Sequence, residues 1–129
     1  MPLHWTLDPS QHFVTLTIEG EVTRPEIEAY LSEIERSNAT GWRKLVDLRN
    51  AQAALPADDV MALGLRFREA DSAGEVGALA VVMPKSNPEG VMRLLGFLAA
   101  AKRPMRLFQA IEPARRWIKA AHRPGAAGR

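Results

Sequence analysis

The sequence contains no cysteine. Disulfides, thiolate metal sites and cysteine nucleophiles are excluded together, and the composition suits a reducing compartment. Histidine occurs three times, at His4, His12 and His122, too far apart in sequence to form a ligand set. A hairpin could bring His4 and His12 to face each other, but two imidazoles make a poor metal site. No G-x-S-x-G elbow, Walker loop or G-x-G-x-x-G is present, so hydrolase and nucleotide-enzyme templates do not apply. No apolar run is long enough to span a bilayer; Val91 to Ala101 comes nearest and carries Arg93. The opening MPLHWTLDPS lacks a charged stretch followed by an apolar one. No signal peptide is therefore expected, and the cytoplasm is the expected location. Catalytic residues, metal and cofactors are all expected to be absent.

What is present suffices for one ordinary domain. The 129 residues are 47% apolar and 25% charged, a globular composition long enough to bury a core without staples. The net charge of +2 conceals an asymmetry: residues 102–129 hold eight Lys or Arg and one acid, Glu112. Such an end could meet nucleic acid or an anionic membrane. A solvated helix face with a loose tail explains it more simply, so nucleic acid is not an expected partner.

The hydropathy pattern alternates between period two and helical spacing. Trp5 and Leu7, then His12 to Ile18, read as two strands around a turn at Asp8-Pro9-Ser10-Gln11. Their closeness predicts an antiparallel hairpin. Thr23-Arg24-Pro25-Glu26 is a capping box, and Ile27, Tyr30, Leu31 and Ile34 form the apolar face of the helix it opens. Lys44 to Leu48 reads as a buried strand and Arg49 to Leu55 as a loop. Pro56 opens a second helix, with Asp58 and Asp59 at its positive end and Val60, Leu63, Gly64 and Phe67 facing inward. Gly77 to Met83 is an apolar run expected to be the central strand. Ser86 or Asn87 caps a third helix bearing Val91, Leu94, Leu95 and Leu98. Met105 to Ala110 is a last strand, and Pro113 opens a last helix with Ala114, Trp117, Ile118 and Ala121.

The predicted order is β-β-α-β-α-β-α-β-α. It implies an α/β fold with a mostly parallel five-stranded sheet and an antiparallel N-terminal edge strand. Residues 1–123 form a single domain and 124–129 a flexible tail. Trp5, Trp42 and Trp117 are read as packing residues, with Trp42 at the bottom of the sheet.

Open α/β sheets bind ligands at the carboxyl ends of their strands. That rim is expected to carry Lys85, Ser86 and Asn87 at a helix start, where amides, a hydroxyl and an ammonium could hold an anion. Arg93 could add to them. Asp47 and Arg49 point to one side of a strand, as a salt bridge at its end or as an acid/base beside an anion ligand. Asp47, Arg49, Lys85, Ser86, Asn87 and Arg93 are therefore the candidate ligand-binding residues.

The hairpin, the capped first helix, LVDLR at 45–49 and PEGVMRLLGFLAAAKRPMRLFQAIEPARRWI at 88–118 together resemble the SpoIIAA-like (STAS-like) family of small bacterial domains. Gly90, Arg93, Leu107, Phe108, Ala114, Trp117 and Ile118 occupy the matching places. The resemblance implies a fold shared with anti-sigma-factor antagonists and lipid-binding CRAL-TRIO-like domains. Antagonists of that kind carry a phosphorylatable Ser or Thr where the helix after the DL strand begins. Here residues 49–59 read RNAQAALPADD and contain neither. The expected function is a non-enzymatic interaction or regulatory module, with a protein partner or self-association and without the phosphoswitch. The alternative is a binder of a small anionic or lipid-like ligand at the rim.

Overall fold

The computed structural model describes residues 3–52, 55–73, 77–85, 92–93, 96 and 103–121. The second half of the hairpin, β2 (Phe13–Glu21), pairs antiparallel with β1 (Leu3–Asp8) and parallel with β3 (Arg43–Gln52). β4 (Leu79–Val82) and β5 (Met105–Phe108) follow in parallel, and the strand order is β1-β2-β3-β4-β5. The helices are α1 (Arg24–Arg36), α2 (Ala57–Ala73) and α3 (Ile111–Ala121). The α/β class, the antiparallel edge strand and the parallel remainder match the expectation. The run Gly77–Met83 is buried on both faces as expected, yet the middle of the sheet is β3. The third helix expected after Asn87 falls largely outside the described residues, as does the tail 124–129.

Each strand's period-two alternation sends its residues into two cores. On one face Val14, Leu16 and Ile18 of β2 meet Ile27, Tyr30 and Ile34 of α1 and Leu63 of α2. On the other, Leu45, Ala80 and Val82 meet Ala114 and Ile118 of α3. Trp5 lies edge-on to Tyr30, with ring centroids 5.5 Å apart, and Trp117 packs against Phe108. β3 and β4 are thus covered on both sides, which is why their sequences read as near-continuous apolar runs.

Local chemistry sets the ends. The Thr23 hydroxyl accepts from Glu26 N–H, and the Glu26 carboxylate accepts from Thr23 N–H at 2.8 Å, completing the capping box. α1 stops where Asn38 takes a left-handed φ of 56°, a conformation asparagine tolerates. His12 does likewise in the hairpin turn and packs at a tilt against Trp42, with ring centroids 5.4 Å apart. It therefore does not face His4, which lies opposite Thr17. The last helix begins at Ile111, two residues before Pro113. α2 runs on to Ala73, so Arg66 lies mid-helix and reaches across to Ser32 and Glu35 of α1.

The amino-terminal end of the sheet is closed by two cations. Arg43 is only 5% exposed. Its guanidinium donates to the carbonyls of Ile118 and Lys119 at 3.1 Å and of Gln11 at 2.8 Å. One side chain thus caps the last turn of α3 and ties it to the hairpin. Lys44 Nζ donates to the carbonyls of Thr40 at 2.6 Å and Trp42 at 2.9 Å. Gly77 is pressed against the Trp42 carbonyl so closely that a Cβ there would collide with it.

Arg43→Met strands three carbonyls and should lower stability by about 3 kcal/mol, read as a lower urea midpoint at unchanged slope; an unchanged midpoint refutes the clamp. Burial, then the charge of Arg103, pushes Lys44 from 10.5 down to about 7. Between those values the unfolded chain holds more protons than the folded one. Stability should therefore fall as pH drops from about 10 to 7, by up to roughly 1.4 kcal/mol per pH unit. Urea titrations of the wild type and Lys44→Met check this, because the variant should lose that part of the slope.

Candidate functional site

The carboxyl-end rim is built differently from the expected loops. β2 continues through Glu21 and β3 through Gln52, so Arg49 to Gln52, expected as loop, is strand. Pairing with β2 holds them there, across a bulge. Thr17 pairs with Asp47 but Glu19 with Asn50, so β3 carries one residue more than β2 over that stretch. Simple alternation from Val46 already sends Leu48 into the core beside α1 and α2; the extra residue comes after it, so that Ala51, three positions on, returns to that same core. Gly20, at φ 75°, supplies the backbone freedom β2 uses alongside it.

Two positions apart on β3, Asp47 and Arg49 point to the same side and meet there. Arg49 Nε donates to Asp47 Oδ1 at 2.9 Å and a terminal nitrogen donates to Oδ2 at 2.8 Å. The Arg49 backbone N–H adds a third bond at 3.1 Å. Asp47 is 8% exposed. Burial pushes its carboxyl up, but the hydrogen bonds from Arg49, together with the charges of Arg49 and Arg115, outweigh that and hold it below the usual carboxylate range. Arg49 is raised, chiefly by its hydrogen bonds to Asp47. This is a fork-to-fork ion pair, the most favourable geometry for such a pair. The carboxylate stays ionised and occupied, which removes it from acid/base work at neutral pH.

The other rim candidates do not join this pair. Lys85 is exposed just beyond β4, and Arg93 is exposed on a helical segment. Among the described residues neither has a hydrogen-bond or ion-pair partner. Ser86 and Asn87 lie outside the described residues. Among the described strands the order never reverses, so they form no switch point of the kind at which doubly wound sheets open a crevice. Among the described residues a cavity of about 410 Å³ lies at the opposite end, lined by Asp8, Gln11, Phe13, Arg43 and Lys119. Arg43 and Lys119 flank the Phe13 ring there at 5.6 and 6.0 Å. The Arg43 guanidinium is directed at backbone carbonyls, which suits a clamp more than an anion receptor.

Two features escaped the sequence reading. Arg43 and Lys44 stand at the start of an apolar strand covered on both faces, and a pair of cations in that position was the available signal. Met61 and Leu65 are each 57% exposed on α2. They lie one turn apart and outside the helix's inward face, so the helical spacing already separated them from Val60, Leu63, Gly64 and Phe67.

Among the described residues, no group of three His, Asp or Glu could hold a metal ion. No described helix is long and apolar enough to cross a membrane. The basic residues Arg115, Arg116 and Lys119 are exposed on α3, while residues 122–129 lie outside the described region.

No family model matches this chain, and no curated protein matches it. A solved structure does resemble it: an uncharacterised protein of the DUF3478 family with a SpoIIAA-like fold, from Shewanella loihica PV-4. The identity is 17%, the match covers 90% of this chain and 93% of that one, and the TM-score is 0.60. At that identity the likeness establishes architecture and no more. The mixed five-stranded sheet, its single antiparallel edge pair and its covering helices are those of the SpoIIAA-like fold.

Proposed function

We propose that this chain is a non-enzymatic STAS-like interaction and regulatory module that receives a protein partner on the outer face of α2. The observation that carries this reading is the pair Met61 and Leu65. Two large apolar side chains, more than half exposed and one turn apart, form a small anchor of the kind that partners cover. Asp58 and Arg68, also exposed, lie one turn to either side, giving the apolar centre a charged rim. α2 is also the helix that follows the DL strand, where the family resemblance places the switch residue of the antagonists. With no Ser or Thr between Arg49 and Asp59, recognition here would depend on shape and on fixed charge rather than on phosphorylation. Asp58 and Asp59 supply permanent negative charge at that helix start, although Asp59 is partly engaged by Arg24 at 3.5 Å.

The alternative, an anionic or lipid-like ligand at the rim, has less support. Its two best-placed residues, Asp47 and Arg49, satisfy each other, and the sheet offers no switch-point crevice. Lys85 and Arg93 alone would hold an anion from solvent, where such attraction is weak.

The test is affinity purification from the native host with the wild type and with Met61→Asp/Leu65→Asp. Both substitutions are on exposed positions and should leave the urea midpoint within about 0.5 kcal/mol. The variant should lose a stoichiometric partner that the wild type retains, or should sediment as monomer where the wild type self-associates. Identical partners and identical sedimentation for both proteins would refute the docking face. Asp47→Asn should lower stability by about 2 kcal/mol while leaving that partner bound. Loss of the partner with Asp47→Asn, at temperatures where the variant is folded, would move the site to the rim.

A further inference from the structure

β1 stands at one edge of the sheet and has no second neighbour among the described strands. Its pairing with β2 decides which of its backbone groups face outward. The His12 carbonyl accepts from the Arg43 N–H of β3, so the Phe13 N–H, on the other side of that peptide, faces β1. Phe13, Thr15 and Thr17 therefore exchange bonds with Asp8, Thr6 and His4, which lie opposite them. The alternate residues Leu3, Trp5 and Leu7 turn their N–H and C=O groups away from β2. β1 has none of the devices that blunt such an edge: it holds no proline, no lysine and no bulge. The other edge strand, β5, is only four residues long, follows Pro104 and carries the exposed Arg106.

The side chains of β1 are complementary to those of a second β1. Turned about a two-fold axis at Thr6, an antiparallel copy sets Thr6 against Thr6, Trp5 against Leu7 and His4 against Asp8. This register also suits the backbone. Trp5 and Leu7 both face outward, so each Trp5–Leu7 pair can exchange two N–H···O=C bonds. Trp5 and Leu7 are half-buried on the side of the core that α1 covers, and each would cover apolar surface of the other. His4, Thr6 and Asp8 are exposed on the opposite face, where an imidazole N–H would meet a carboxylate. Asp8 Oδ1 accepts from the Ser10 hydroxyl and the Gln11 N–H, which fixes the carboxylate and leaves Oδ2 to the incoming ring. The contact of His4 with Glu19 is 4.0 Å long between side chains that are each 58% exposed, so it competes weakly. Shifting the register by two residues either way loses the His4–Asp8 pairs.

We propose that β1 is a self-recognition edge, at which two copies of this chain pair antiparallel about an axis at Thr6 and join their sheets into one of ten strands. The contact is isologous, so one patch serves both copies and the assembly closes at two. Four backbone hydrogen bonds, two Trp5–Leu7 contacts and two His4–Asp8 pairs hold it. It lies on a different element from Met61 and Leu65 and does not depend on the α2 docking face.

The experiment is sedimentation over a wide range of protein concentration, with the wild type, Thr6→Lys and Thr6→Glu. Thr6 is exposed, so both variants should keep the wild-type urea midpoint. The wild type should pass from monomer to dimer as concentration rises. Either variant alone sets like charges opposite each other across the axis and should weaken the dimer about tenfold or more. An equimolar mixture of the two should recover it, because lysine then faces glutamate. Met61→Asp/Leu65→Asp should dimerise as the wild type does. In the wild type, with no substitution at all, the Trp5 and Leu7 amides should exchange with solvent several-fold more slowly in the dimer than in dilute solution. A wild type that stays monomeric, single variants that dimerise undiminished, a mixture that does not recover, a dimer lost in Met61→Asp/Leu65→Asp, or unchanged exchange at Trp5 and Leu7 would each overturn the proposal.

Discussion

The constraint on which the rest depends is that β3 and β4 must be covered on both faces. Leu45, Val81 and Val82 are almost wholly inaccessible, and each buried aliphatic side chain contributes about 2 kcal/mol of transfer free energy. α1 and α2 cover one face and α3 the other. The α3 side is the more demanding because a single described helix serves it, contributing Ala114 and Ile118 with Trp117 beside them. Arg43 resolves the difficulty at the helix's far end. It supplies charged donors to the last carbonyls of α3, where a cation is also favoured by the helix dipole, and reaches the hairpin with the same guanidinium. The two ends of the chain are thereby joined through one side chain in the middle of the sequence.

The bulge in β3 follows from the same demand. Strict alternation puts Leu48 in the α1/α2 core and returns Arg49 to the Asp47 carboxylate; inserting one residue after Leu48 then lets Ala51 reach the same core. The polar pair that results occupies the place where an α/β protein with a switch point would hold a ligand. A buried carboxylate and its cation that satisfy each other leave no unpaired charge to attract one, which is why the interaction reading rests on α2 instead.

Much of the architecture was legible in the chain. The capping box at Thr23, the spacing of Ile27, Tyr30 and Ile34, the inward face of α2 and the alternation in β2 are local signals. Each acts within a few residues, so the sequence displays them directly. Asp47 and Arg49 were legible as a pair for the same reason, being two positions apart on one strand. The length of β3 was not, because Asn50, Ala51 and Gln52 carry no strong strand preference and are held there by pairing with β2.

By itself, then, the sequence determined the element order, the class, the antiparallel start and the absence of a phosphoacceptor before α2. Only the tertiary structure decided that Arg43 clamps α3, that Asp47 is spent on Arg49, that Met61 and Leu65 stay uncovered, and that Lys44 is buried against the carbonyls of Thr40 and Trp42. Those outcomes depend on contacts between residues tens of positions apart, as between Arg43 and Ile118 or Arg66 and Glu35. Burial, which sets the worth of a charge and the meaning of an exposed apolar side chain, is a property of the packed whole and of no single segment.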